Sequence, residues 1–193
     1  ADCADEIAYV QACLRLYFSG AAAAAGDVST PSLSATAVAD IARLNKVATF
    51  VLKALSRAPA SERPAELFQW LDAYRRRTVS MNAACLMDSM AIHKALRDRQ
   101  IDFVFLKGPF QQHLLYDDHF MKPSGDVDIL VYPAGFSKAR DALRSIGYEV
   151  SGKSRSVWWV RFLGEQHMIR VNGPSTGDIH YRLQHPGPLS PRD

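Results

Sequence analysis

Two aspartates, Asp126 and Asp128, alternate with apolar residues in the second half of the chain. In a strand, alternate side chains share a face, so both carboxylates would point the same way while Val127, Ile129 and Val131 enter the core. Two such charges about 5 Å apart repel by roughly 3 kcal/mol at an effective dielectric of about 20, unless a cation offsets them. Magnesium, a hard ion that prefers oxygen ligands, is the natural candidate. The alternative is that one aspartate caps a turn and the other faces water.

A second group of residues joins a short apolar run to a predicted helix. Lys107 and Gly108 follow the run, and Pro109 suits the first turn of a helix. Backbone N–H groups and the positive end of the helix dipole can hold a phosphate at such a junction, and glycine allows a close backbone approach. Lys107 would add a point charge. Alone, this pair is more typical of a turn, and the aspartate strand that follows it strengthens the phosphate interpretation.

The elements that position these residues differ between the two halves of the chain. Apolar residues in the first half recur at helical spacing, and the Ala- and Gly-rich stretch 20–35 predicts a linker. The predicted helices are residues 7–18, ended by Gly20; a second from a Ser34 or Thr36 cap to residue 55; and one long or two abutting helices over residues 65–99.

The second half has the spacing of short strands interrupted by two helices. The predicted strands are residues 101–106, 126–132, 148–150, 157–163, 166–171 and 178–183, and the predicted helices are 109–116 and 136–146. Trp158 and Trp159 adjoin in one of these strands and would face opposite sides of the sheet. This pattern predicts an α+β protein with a helical region over residues 1–99 and an α+β core over residues 100–193.

The composition is that of one folded domain of ordinary size. The 193 residues are 48% hydrophobic and 22% charged, which excludes disordered, collagen-like and coiled-coil proteins. A net charge of +3 is far weaker than that of a dedicated nucleic-acid binder, although it leaves nucleic acid open as a partner.

The three cysteines and the lack of long apolar runs bear on the compartment. Cys3, Cys13 and Cys85 have spacings that fit neither a disulfide framework nor a zinc site, which indicates a reducing environment. No run approaches the length of about 18 apolar residues that crosses a bilayer. We therefore expect a cytoplasmic protein with no membrane partner.

Five motifs in the second half of the chain form a recognisable set. They are Phe103-Val104-Phe105-Leu106-Lys107-Gly108, Leu115-Tyr116, Lys122-Pro123-Ser124-Gly125-Asp126-Val127-Asp128-Ile129-Leu130-Val131, Leu143-x-x-x-Gly147-Tyr148 and Gly177-Asp178-Ile179-His180-Tyr181. Together they resemble the uncharacterised bacterial nucleotidyltransferase family of the polymerase-beta superfamily. The resemblance implies a minimal nucleotidyltransferase sheet domain on which the helical half packs. It also implies a third metal-binding carboxylate at Asp178, beside which His180 supports the ligands or is a hydrogen-bonded structural residue.

The function that the resemblance implies is transfer of a nucleoside monophosphate from an NTP to an unidentified hydroxyl or phosphate acceptor. Asp126, Asp128 and Asp178 would hold two Mg²⁺ or Mn²⁺ ions, which orient the triphosphate and activate the acceptor. The implied nucleotide contacts are Lys107, Gly108, Lys122 and Ser124, and we take ATP as the default NTP. Members of the family commonly continue beyond the third carboxylate, so we expect further sequence after residue 193. The alternative is a catalytically degenerate NTP-binding or protein-interaction module.

Overall fold

The computed structural model describes residues 3–20, 33–173 and 175–183, so most of the predicted linker and the last residues lie outside it. The described residues fall into two units. One lies within Ala1–Ser80 and Phe120–Pro123, and the other within Met81–His119 and Ser124–Asp193. None of the described helices is both long and apolar enough to cross a membrane.

The first unit is helical, as predicted. It contains α1 (Ala4–Ser19), α2 (Ala35–Leu44), α3 (Ala48–Leu55), a 3-10 turn at Ala60–Glu62 and the N-terminal part of α4 (Ala65–Arg97). The predicted stop of the first helix is confirmed, because Gly20 follows α1 with a φ of 68°. The core of this unit buries apolar side chains from all four helices, among them Val10, Val38, Val51 and Leu71.

The helix predicted from residue 34 to residue 55 is wrong, because the chain forms two helices there. Ser34 is the N-cap of α2, and its hydroxyl accepts a hydrogen bond from the backbone N–H of Ala37 at 3.2 Å. After α2, Lys46 adopts a φ of 57°, which ends regular helix geometry before α3 begins. Leu44, the last residue of α2, is 69% exposed.

The second unit is built on a mixed five-stranded sheet, which confirms the α+β class. The strands are β1 (Phe103–Phe105), β2 (Asp126–Val131), β3 (Tyr148–Val150), β4 (Glu165–Arg170) and β5 (Thr176–His180), in the order β1-β2-β5-β4-β3. Strands β2 and β5 are parallel, and the other neighbouring pairs are antiparallel. Between strands lie α5 (Pro109–Tyr116), a 3-10 turn at Pro133–Gly135 and α6 (Phe136–Ser145).

The predicted strand over residues 157–163 is wrong. This segment follows a 3-10 turn at Gly152–Arg155 and contains a π-helical turn, Trp159–Leu163. Both edges of β4 are already paired, to β3 and β5, so a strand here would have no place beside it. The helical geometry instead stacks Trp158 on Phe162, with ring centroids 4.9 Å apart. The two tryptophans therefore do not alternate across a sheet.

The two faces of the sheet have different surroundings. Ile129, Met168 and Ile179 lie on one face, in a core shared with Leu96 of α4 and Leu143 of α6. Because strand side chains alternate, the residues between them point to the other face. That second face carries Asp126 and Asp128 of β2, Glu165 and His167 of β4, and Asp178 and His180 of β5.

Candidate metal centre

The parallel pairing of β2 with β5 sets Asp128 opposite Asp178. Asp178 therefore lies on the strand next to the one that carries Asp126 and Asp128. The ligand atoms of Asp128, Asp178 and His180 all lie within 4.8 Å of one another, so these residues form a group that could hold a metal ion. Asp126 is opposite Thr176, and it does not belong to this group of the described chain.

Asp128 is the most enclosed member of the group, with 1% of its surface exposed. Its Oδ1 accepts a hydrogen bond from Lys107 Nζ at 3.0 Å and lies 3.1 Å from His180 Nε2. Burial alone would raise the pKa of Asp128, but these two partners and their charges hold it below its usual value. The positive charge expected opposite the aspartates is thus supplied, in part, by the protein itself.

The second oxygen of Asp128 differs from the first. Asp128 Oδ2 is buried and has no hydrogen-bond partner within the described ranges. A buried carboxylate oxygen without a partner is costly, because it has lost its hydration without compensation. An ionised, unpartnered oxygen beside a second carboxylate suits a divalent cation, because such ions prefer oxygen ligands.

Asp178 has a different partner, His167, which faces it across the β4–β5 pair. His167 Nδ1 and Asp178 Oδ1 form a close hydrogen-bonded contact. Burial raises the pKa of Asp178, and this contact with His167 offsets only part of the effect. The two carboxyl groups of the centre therefore have pKa values shifted in opposite directions.

His180 links the centre to a further acidic residue. Its Nδ1 lies 3.5 Å from Glu165 Oε2, while its Nε2 faces Asp128. Neither Glu165 nor His167 is among the site residues predicted from the sequence. Both residues lie on β4, and only the register of β4 against β5 shows that they share a face with Asp178 and His180. A period-2 reading of residues 165–170 could have found the shared face of Glu165 and His167, but not the strand beside them.

Lys107 and Gly108 lie between β1 and α5. The Leu106 N–H donates to the Asp128 carbonyl at 3.0 Å, which fixes Lys107 beside β2. Gly108 precedes α5 with φ 89° and ψ −159°, a region that is essentially restricted to glycine. Lys107 remains 63% exposed, and although burial would lower its pKa, its bond to Asp128 and the nearby carboxylates raise it.

Ser124 and Lys122 have surroundings different from those of Lys107. Ser124 is buried, its N–H donates to Asn82 Oδ1 at 2.8 Å, and its hydroxyl accepts from Gln112 Nε2 at 3.0 Å. These bonds anchor the chain just before β2. Lys122 belongs to the first unit, where its ammonium lies 6.0 Å from the centre of the Phe50 ring. Nucleotide contacts by Ser124 and Lys122 stay predictions.

The donor set fits a divalent cation. It offers one imidazole and two carboxylates, one of which contains the unpartnered Oδ2 of Asp128. Carboxylates suit magnesium and manganese, and imidazole is a common ligand of transition metals.

Comparison with protein families identifies the family to which this chain belongs. Residues 31–193 match the family described as "Uncharacterised nucleotidyltransferase", and the chain belongs to that family. The family predicted from the sequence motifs is thereby confirmed. Searches of curated proteins and of solved structures each returned no match.

Proposed function

We propose that this protein is a metal-dependent nucleotidyltransferase that moves a nucleoside monophosphate from an NTP to a hydroxyl or phosphate acceptor. The observation that carries the proposal is the convergence of Asp128, Asp178 and His180 around the unpartnered Asp128 oxygen. The match to a nucleotidyltransferase family supports it. Mg²⁺ or Mn²⁺ is the proposed cofactor, and ATP is the default nucleotide.

In this proposal Asp128 and Asp178 hold the metal, and Asp126 contributes from the same strand as Asp128. A divalent ion held there would polarise phosphoryl oxygens and would lower the pKa of an acceptor hydroxyl. The acceptor oxygen attacks the α-phosphorus, the bond to pyrophosphate breaks, and the acceptor proton passes to a base. Asp178 is the proposed base, because it lies opposite Asp128 at the centre.

The chain also offers groups for the triphosphate. A cleft of about 380 Å³ adjoins the centre, and its lining includes Lys107, Leu163, His180 and Arg182. Its volume falls within the range of small-molecule sites. Lys107 and Arg182 would attract the phosphates, and Gly108 would let the backbone approach them.

A second candidate function is NTP binding without turnover. The ion pair between Lys107 and Asp128 favours it, because the pair neutralises Asp128 without any metal. A protein that kept this pair in its NTP complex could bind phosphates and still fail to assemble a metal centre.

Two measurements separate these functions. Titration calorimetry with each of the four common NTPs, with and without Mg²⁺ or Mn²⁺, detects binding. Transfer of label from α-labelled but not γ-labelled NTP to a lysate of the native host detects the reaction, with Asp178→Asn as the inactive control. Metal-dependent transfer of the α-label supports the enzyme, and NTP binding without transfer supports the second candidate. If neither binding nor transfer is detected, both functions are contradicted.

A further inference from the structure

A second cleft, of about 540 Å³, lies elsewhere in the sheet unit. Arg140 and Arg144 of α6 and Arg155 of the 3-10 turn after β3 line it, together with Gln166 of β4. Three guanidinium groups around one cleft favour an anion, because each can present paired N–H donors to a phosphate or carboxylate.

This cleft is separate from the metal centre. His167 faces Asp178, so the adjacent Gln166 points to the opposite face of the sheet, where its register partner Ile179 is buried. An anion bound beside Gln166 would therefore have the sheet between it and Asp178. The proposed transfer reaction does not use this cleft.

Gln166 provides the observation that makes the cleft a candidate site. It is 4% exposed, and its Nε2 donates to the Ser154 carbonyl at 3.3 Å, which fixes the orientation of the amide. Its Oε1 is buried and has no partner among the residues that the structure describes. A buried carbonyl oxygen is normally satisfied, so Oε1 can accept a hydrogen bond from a bound molecule.

The arginines are only weakly engaged with protein acids. Arg140 Nε and Arg144 Nη1 each lie 3.4 Å from the same Asp141 oxygen, and Arg140 also donates to Ser137. Exposed pairs of this kind contribute little, so a better anion can replace them. Arg155 is exposed and has no ion pair within the described part of the chain, and Glu149 is the acidic residue on the cleft wall.

We propose that this cleft binds a small phosphate monoester whose carbon skeleton has hydroxyl groups, such as a sugar phosphate. The arginines bind the phosphate, and a ligand hydroxyl donates to Gln166 Oε1. The buried floor and the small number of cationic groups favour a small ligand over a nucleic-acid backbone, which needs an extended basic surface.

The test uses the full chain without divalent metal at about 150 mM salt, where loose surface attraction is screened. Calorimetry compares ribose 5-phosphate, ribose, sulfate and a short oligonucleotide, since sulfate has the charge but no hydroxyl donor. We expect ribose 5-phosphate to bind and ribose not to bind. The double variant Arg140→Gln/Arg155→Gln should weaken ribose 5-phosphate binding at least about tenfold, and Arg97→Gln, on an exposed part of α4, should not change it.

Gln166→Met tests the hydroxyl contact. It should weaken ribose 5-phosphate binding and leave sulfate binding unchanged, because only the sugar phosphate donates to Oε1. If Gln166→Met does not fold, the double arginine variant still decides the question. No ribose 5-phosphate binding by the wild-type chain overturns the proposal. If the arginine variant binds ribose 5-phosphate as tightly as the wild-type chain while Lys107→Ala binds it more weakly, the ligand lies at the metal centre. That result also overturns the proposal. If only the oligonucleotide binds, and the arginine substitutions weaken that binding, the cleft is part of a nucleic-acid surface and the proposal is overturned.

Discussion

The Lys107 ammonium lies 3.0 Å from Oδ1 of Asp128, the buried carboxylate of the proposed metal centre. One residue proposed for phosphate binding is thus paired with one proposed for metal binding. A metal ion and the ammonium would repel each other at this carboxylate, whereas a triphosphate would attract both. Metal and NTP are therefore expected to bind cooperatively, with Lys107 leaving Asp128 as the phosphates arrive.

Lys107→Ala should have opposite effects on the two ligands. Without nucleotide, Mn²⁺ affinity should rise severalfold, because a competing positive charge beside Asp128 is removed. The KM for the NTP should rise about tenfold while kcat changes less, because the ammonium contacts phosphate in both ground and transition states. Paramagnetic Mn²⁺ titration and steady-state kinetics measure the two effects. Lys107→Arg, which keeps the charge, is the control, and unchanged Mn²⁺ and NTP affinities in Lys107→Ala would contradict the assignment.

Asp128→Asn and Asp178→Asn should change metal-free stability in opposite directions. Asp128 has a lowered pKa, so its charge stabilises the fold and its loss should lower the free energy of unfolding at neutral pH. The sequence alone suggests the reverse, since removing one of two like charges relieves repulsion, but Lys107 and His180 outweigh that effect. Asp178 has a raised pKa, so Asp178→Asn should leave stability unchanged or raise it. Urea unfolding in EDTA measures both, with the exposed Asp102→Asn as control.

The pH dependence follows from the same shifts. The stabilisation from Asp128 is fully present above its ordinary pKa of 3.8 and is lost as pH falls through the lowered value. The preference for protonated Asp178 stabilises the fold below 3.8 and is lost as pH rises through its raised value. As pH falls, any stability advantage of Asp178→Asn should therefore disappear first, as Asp178 of the wild-type chain takes up its proton. The stability deficit of Asp128→Asn should disappear only at a lower pH, in strong acid. Unfolding curves over this range would contradict the assignments if the order were reversed.

Both carboxylates should be required for transfer. Loss of either should remove several kcal/mol of transition-state stabilisation, equivalent to a rate reduction of about a thousandfold. Asp126→Asn is expected to reduce transfer as well, although Asp126 lies outside the converging group. Label transfer at saturating NTP measures each variant, and near-wild-type turnover by Asp128→Asn would exclude the proposed centre.

Gly108→Ala should combine a stability loss with weaker NTP binding. Its φ of 89° and ψ of −159° disfavour any side chain, so the substitution should cost roughly 1–3 kcal/mol. Space is not the cause, since an added Cβ would lie 3.9 Å from the nearest atom, the Asp126 carbonyl. Gly147→Ala is the matched control, because Gly147 has a φ of 90° at the end of α6. Gly147→Ala should lower the stability without raising the KM for the NTP. Equal KM values in the two variants would contradict the assignment of Gly108 to the nucleotide site.

The sequence predicted the elements whose signal is local. The alternation around Asp128 predicted β2, and the glycine and proline at the start of α5 predicted that junction. The strand predicted over residues 157–163 is wrong, because aromatic and β-branched residues favour any half-buried surface and do not by themselves specify a strand. The break at Lys46 has no glycine or proline to mark it. The partners Glu165 and His167 depend on the pairing of β4 with β5, which no local pattern in the sequence specifies.

His167 should act on the reaction through Asp178. Groups that orient metal ligands typically change affinity or activity by about 10–100-fold when removed. His167→Ala should therefore lower kcat and Mn²⁺ affinity by about tenfold or more, while the KM for the NTP stays constant because Lys107 and Gly108 are untouched. His167→Asn should restore part of both losses, because its amide can donate near the position of Nδ1, and His113→Ala serves as the control on α5. Normal kcat and Mn²⁺ affinity in His167→Ala would show that the contact with Asp178 is structural, and equal losses in His167→Asn would show that hydrogen bonding is not the cause.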